Sequence, residues 1–133
     1  MNSPKVSPPR GLTRSENARL LGPKGERAAA VFLVANGCRV LDRNWRHGRV
    51  GELDLVVDDG GVIVFVEVKT RSGTGPDTAL AAVDQRKLDT LLRLGNAWLA
   101  EHHAWRPCRF DLVGVQLRAG REPLFAWFQD VTQ

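Results

Sequence analysis

Three charged residues stand where burial makes charge expensive. Val62-Ile63-Val64-Phe65-Val66-Glu67-Val68-Lys69 is a run of core-type residues broken by one acid and one amine. Thirteen positions before Glu67, Gly51-Glu52-Leu53-Asp54-Leu55 sets further acids among leucines. A strand of Val, Ile and Phe is suited to burial on both faces. An ionised side chain within it is costly unless it is paired, hydrogen-bonded or bound to a metal. Two carboxylates a few ångströms apart repel and desolvate each other, and a hard cation relieves both effects. Mg²⁺ is typically held by one or two carboxylates, with waters and phosphate oxygens as its other ligands. Neither stretch contains Cys or His, which argues against zinc. A Lys beside the metal can orient the attacking water or neutralise charge that develops in the transition state. Asp54, Glu67 and Lys69 thus have the makings of metal-assisted phosphodiester hydrolysis, with Mg²⁺ (or Mn²⁺) as the expected cofactor and no small-molecule cofactor.

Convergence of these residues depends on the turn between the strands. Asp58-Asp59-Gly60-Gly61 reads as a hairpin turn. Strand alternation puts Glu52 with Asp54, Leu53 with Leu55, and Glu67 with Lys69 on shared faces. A turn centred on Asp59-Gly60 leaves Asp54 diagonal to Glu67, and one centred on Gly60-Gly61 sets them directly opposite. Either register brings Asp54, Glu67 and Lys69 to one face. A three-residue loop would separate them.

The elements that must position this site can be read in outline. A first helix is expected from about Lys24 to Asn36, with an earlier turn before Pro23 and Gly37 as its C-terminal cap. Glu26, Ala29, Ala30 and Leu33 share one face of it, so Glu26 joins the ligand set if that helix packs on the same sheet face. Strands follow at Cys38–Asn44, Glu52–Asp58 and Val62–Thr70, with loops around Trp45–Arg49 and over Arg71–Asp77. A second helix begins near Asp84, a good N-cap, and ends near His102. It carries an apolar stripe of Leu88, Leu91, Leu92, Gly95, Trp98 and Leu99. Strands at Cys108–Leu117 and Pro123–Phe128 complete the order α-β-β-β-α-β-β, an α/β sheet with an antiparallel hairpin at its centre and helices packed against it. Residues 1–15 lack periodicity and read as a flexible tail; residues 16–133 read as one domain.

The composition, 43% hydrophobic and 26% charged, is that of a globular protein, and no apolar run approaches a bilayer span. Basic residues at the N-terminus have no apolar stretch behind them, so no secretory signal is expected. Cys38 and Cys108 match no zinc spacing and suit a reducing cytoplasm. The net charge is +4, and 15 of the 19 basic residues are Arg. Arg39, Arg43, Arg46 and Arg49 surround Trp45 and His47, a phosphate-facing patch or an ordinary solvated surface. Trp45 is the tryptophan placed to stack on an exposed base; the other three are expected in the core. Arg109 and Asp111 share a strand face and are expected to pair. Taken alone, Glu67 and Lys69 read equally well as an i, i+2 salt pair at a strand end.

The order of the motifs narrows the choice. Gly25-Glu26 with Ala29 and Leu33, Arg43-Asn44-x-Arg46, Gly51-Glu52-Leu53-Asp54-Leu55, Phe65-Val66-Glu67-Val68-Lys69-Thr70-Arg71, Lys87 and Arg109-Phe110-Asp111 occur in that order. This string resembles the YraN-type family, bacterial proteins classed as predicted endonucleases and similar to archaeal Holliday junction resolvases. The resemblance covers about residues 15–130. Leu53 stands where the wider superfamily often has Pro, as in the resolvase-like branch. The resemblance implies a restriction-endonuclease-like fold, with a central mixed sheet of about five strands flanked by helices. It implies a Mg²⁺-dependent endonuclease acting on branched or structured DNA in recombination or repair, with Asp54, Glu67 and Lys69 catalytic and Glu26, Asp54 and Glu67 as metal ligands. Arg43, Asn44, Arg46, Arg49, Arg71 and Lys87 are then the expected nucleic-acid contacts. A homodimer is expected from the related resolvases. The alternative is a non-catalytic nucleic-acid-binding module that acts with a partner.

Overall fold

A computed structural model describes residues 14–73 and 83–132, with side chains from residue 21 onward. Helix α1 (Arg14–Ala35) leads into strands β1 (Arg39–His47), β2 (Gly51–Asp59) and β3 (Val62–Ser72); helix α2 (Gln85–Glu101) then precedes β4 (Cys108–Arg118) and β5 (Arg121–Phe128). The five strands lie in one sheet in sequence order, β1-β2-β3-β4-β5. Only β3 and β4 run parallel, joined by the crossover through α2, and the other neighbours are antiparallel. This is the expected α/β architecture with a mixed five-stranded sheet, consistent with a restriction-endonuclease-like fold.

Each helix covers one sheet face. Ala29, Ala30 and Leu33 of α1 pack on Leu55, Val57, Val64, Val66, Val68, Val113 and Val115. Leu91, Leu94 and Trp98 of α2 pack on Leu53, Val56, Ile63, Phe65 and Phe110. Helix α2 starts where the sequence signals it, with the Asp84 carboxylate accepting from the Lys87 backbone N–H at 2.9 Å. Helix α1 starts earlier than expected and continues through Pro23. Pro23 is solvent-exposed, and it removes one helical N–H donor. Of the tail expected over residues 1–15, Arg14 and Ser15 begin α1 and the rest lies outside the described residues. The loop expected over Arg71–Asp77 also lies mostly outside them. Strand β1 runs on through Trp45 to His47, where a loop was expected, because Trp45 pairs with Leu53 and packs against the α2 cluster. Among the described residues no helix is long and apolar enough to cross a membrane.

The close seating of α1 depends on Gly25. A Cβ at this position would fall inside the Thr70 side chain of β3. Gly25→Ala must therefore lift the first buried turn of α1 off the sheet, at a cost of about 1–3 kcal/mol typical of overpacking. The same lift would displace the neighbouring Glu26. Urea unfolding measures the loss, and Gly25→Ala combined with Thr70→Gly is expected to recover part of it. No recovery in the double variant would place the cost elsewhere than in this contact.

The far end of the sheet is fastened by a buried carboxylate. Asp111 is 0% exposed and accepts from Arg109 Nε (3.1 and 3.2 Å), Trp127 Nε1 (2.9 Å) and the Asp130 backbone N–H (2.9 Å). Arg109 reaches on to Asp59 at 2.7 Å. The expected Arg109–Asp111 pair is thus the centre of a larger network. Trp105, expected in the core, is instead 94% exposed. It lies in the connection between α2 and β4.

Candidate active site

The site lies where the sheet forks. Strands β2 and β3 pair from Asp59↔Val62 to Leu55↔Val66, a register centred on Gly60-Gly61. Beyond Leu55 and Val66 that ladder ends. Strand β2 continues beside β1 to Gly51↔His47, while β3 continues beside β4 to Ser72↔Leu117. Asp54 and Glu67 are the first residues past the last rung, opposite each other at the base of the fork. The Val68 backbone N–H of β3 donates to Asp54 Oδ2 at 2.8 Å, so a side chain closes the gap that the ladder leaves.

Local irregularity turns Asp54 into this position. Simple alternation would put Leu53 and Leu55 on one face, but Leu53 packs with the α2 cluster and Leu55 with the α1 cluster. The rung between Asn44 and Asp54 is missing from the β1–β2 pairing, and Asn44 has φ 49°. Asn tolerates this left-handed conformation better than most residues. The expected grouping of Glu52 with Asp54 therefore does not carry across the kink.

Burial, with the Glu67 carboxylate as the next cause, pushes Asp54 up to about 7; Glu26 adds to the rise, while the Val68 N–H and Lys87 oppose it. Glu67 is buried, and its Oε1 lies 3.0 Å from Lys87 Nζ of α2. Lys69 is partly buried two residues along the same strand. By alternation from Ile63 and Phe65, Glu67 and Lys69 belong to the α2 side of the sheet.

Glu26 approaches from the other side. Its helix packs on the α1 face, so the condition that would have put it on the face of Glu67 is not met. Its Oε2 instead accepts from Asn44 Nδ2 at 2.6 Å. Glu26 and Asp54 line a small pocket of about 90 Å³ with Pro23, Arg27, Arg43, Asn44 and Leu55. Asp54 thus stands between Glu67 on one side and the Glu26–Asn44 pair on the other. Among the described residues no group of three or more His, Cys, Asp or Glu side chains converges as a ready metal cage.

The expected nucleic-acid contacts divide. Arg43, Asn44, Arg46 and Arg49 are exposed along β1 and the turn after it. Arg71 is partly buried and donates to Gln116 Oε1 at 3.0 Å, and Gln116 in turn donates to the Gly73 carbonyl. Lys87 is held on Glu67. Trp45 stacks on His47, 5.5 Å between ring centres, and donates to Glu101 Oε2. The Lys87–Glu67 pair was missed from the sequence although its signal was there. Lys87, Leu91, Leu94 and Trp98 follow i, i+4, i+7, i+11 spacing, which turns Lys87 toward the sheet. Arg27 was also missed; it gave no signal beyond following Glu26.

Comparison with known proteins places the sequence in a family. Residues 25–115 match the model of "Uncharacterised protein family UPF0102". A UPF0102 protein of Frankia casuarinae is 55% identical over 96 residues, covering 71% of this chain and 80% of that one. One from Mycolicibacterium smegmatis is 44% identical over 115 residues, 84% of this chain and 89% of the relative. One from Oleidesulfovibrio alaskensis is 46% identical over 99 residues, 74% of this chain; the chain spans 48% of that relative's length. Among solved structures, Pyrococcus furiosus SfsA in complex with Ca²⁺ is similar at 14% identity and a TM-score of 0.34, over 86% of this chain and 64% of that one. That likeness is too slight to bear on fold or function.

Proposed function

The chain belongs to the uncharacterised protein family UPF0102, the YraN-type family, and from that premise we propose that it is a metal-dependent endonuclease acting on DNA, with branched or structured duplexes as its substrate class. The observation that supports this most is the pair of carboxylates, Asp54 and Glu67, facing each other at the base of the fork. Burial and the neighbouring Glu67 carboxylate, which together raise the Asp54 pKa, are what a hard cation offsets, and two carboxylates suffice for Mg²⁺ when water and phosphate supply its other ligands. Asp54 and Glu67 would hold Mg²⁺ or Mn²⁺. Glu26, engaged with Asn44, stands close enough to raise the Asp54 pKa and serves as the third acid of the site. When bound, the metal supplies positive charge to the phosphate under attack.

The chain's own groups carry the remaining work. Lys69, beside Glu67, holds the attacking water and stabilises negative charge that builds on the phosphate oxygens. Arg43, Arg46 and Arg49 bind backbone phosphates of the incoming strand and set its register. Arg71, tied to Gln116, braces the edge of the site more than it reaches outward. A junction with two symmetric strands to cut would be met by two copies of the chain, working in the cytoplasm.

The test is incubation of the purified protein with linear, flapped and four-way-junction DNA, with Mg²⁺ and with chelator. Cutting of the branched substrates is expected only with metal, and it is lost in Glu67→Gln. If saturating Mg²⁺ or Mn²⁺ yields no cleavage of any of these substrates, the nuclease reading fails. A second reading, a nucleic-acid-binding module that works with a partner, is favoured by the Lys87 ammonium already closed on Glu67. Salt-dependent binding without metal-dependent cutting would select it.

A further inference from the structure

We infer that Lys87 is an exchangeable counter-ion, an ammonium that neutralises Glu67 while no divalent cation is bound and leaves it when one arrives. The inference rests on the metal-dependent reading of the site and goes further by giving the metal a built-in competitor. The Glu67 side chain is only 8% exposed and cannot stand bare beside Asp54 without a positive partner. Lys87 Nζ supplies that partner at 3.0 Å. The same side chain is 34% exposed, so its head can swing into water while its stem stays on the helix. The backbone at Lys87 is fixed independently of the side chain, since its N–H is capped by Asp84. A divalent cation on Glu67 would repel an ammonium at hydrogen-bonding distance from the same carboxylate. Metal binding and the Lys87–Glu67 pair therefore oppose each other, and by linkage each weakens the other by the same factor. Lys87 thus acts as a positioning residue. It balances the charge of Glu67 and holds its carboxylate in place before the metal arrives.

The test is calorimetric titration of Mg²⁺ into wild type, Lys87→Met and Lys87→Arg without DNA, with thermal unfolding of each in chelator. Lys87→Met is expected to bind Mg²⁺ about tenfold more tightly, within the usual range of such coupling, and to melt below wild type when metal-free. Lys87→Arg, which keeps the charge on Glu67, is expected to bind no more tightly than wild type. It carries the test alone if Lys87→Met fails to fold without metal. Equal or weaker Mg²⁺ binding by a folded Lys87→Met, or tighter binding by Lys87→Arg, overturns the inference while leaving the nuclease reading intact. Absence of Mg²⁺ binding in wild type and variants alike overturns both.

Discussion

Asp54→Asn is expected to make the protein more stable above pH 7 while reducing DNA cleavage by about a thousandfold or more, the scale of losing a charge that serves the transition state. The folded-state pKa of Asp54 is about 7, against an ordinary value of 3.8. Between these two values the folded protein keeps a proton that the unfolded chain has released. The stability this group supplies is therefore fully present below about pH 4 and is lost as pH rises through 7. The shift corresponds to at most about 4 kcal/mol. Asn has nearly the same shape, and its Oδ1 can accept from the Val68 N–H, so the variant removes the charge without reopening the fork. Urea unfolding in chelator at pH 4, 6 and 8 measures the effect. Wild type and variant should be close at pH 4 and diverge in the variant's favour by pH 8. A variant less stable than wild type at pH 8 would mean that burying the Asp54 charge beside Glu67 does not strain the fold.

Asp111→Ala is the second large effect, and it acts on folding alone. Removing this fully buried carboxylate leaves the Trp127 indole N–H and the Asp130 backbone N–H without their acceptor, and Arg109 with Asp59 as its remaining ion pair. Breaking one side of a buried charged network costs about 3–5 kcal/mol. For a domain of this size that is a large part of the total stability, and a fall in Tm of about 10–20 °C is expected. Asp111→Asn, which keeps one acceptor oxygen but loses the charge and turns an NH₂ toward the remaining donors, should fall between. Thermal unfolding followed by circular dichroism checks both, and a shift of only a few degrees for Asp111→Ala would remove the network from the account of stability.

What the sequence disclosed follows the range of the interactions involved. The start of α2 rests on Asp84 and the residues within one turn of it, and it was legible. The hairpin register reduced to two choices, and Gly60-Gly61 at the turn selects the one that sets Asp54 opposite Glu67. The break in alternation at Asp54 was not legible, because it arises from the pairing of β2 with β1 at one rung and from the backbone of Asn44, ten residues away. Glu26 was placed on the correct helix face, but the sheet face that helix covers is a property of the assembled fold. Membership of the motif string points Lys87 toward phosphate. A count along α2 from Leu91 and Leu94 would have turned it inward. An expectation of Trp105 in the core rests on residue type alone, the weakest of these grounds, since large apolar residues do occur singly at surfaces.

The hydrogen bond from Val68 to Asp54 divides the labour of a single carboxylate. Oδ2 serves as a substitute main-chain acceptor, completing backbone pairing where the strands have parted. Oδ1 takes no part in that bond. Asp54 is thus half scaffold and half reagent. A ligand that drew Oδ2 away from Val68 would loosen the bond that carries β2–β3 pairing past its last rung, so ligand binding and strand closure are coupled at this carboxylate.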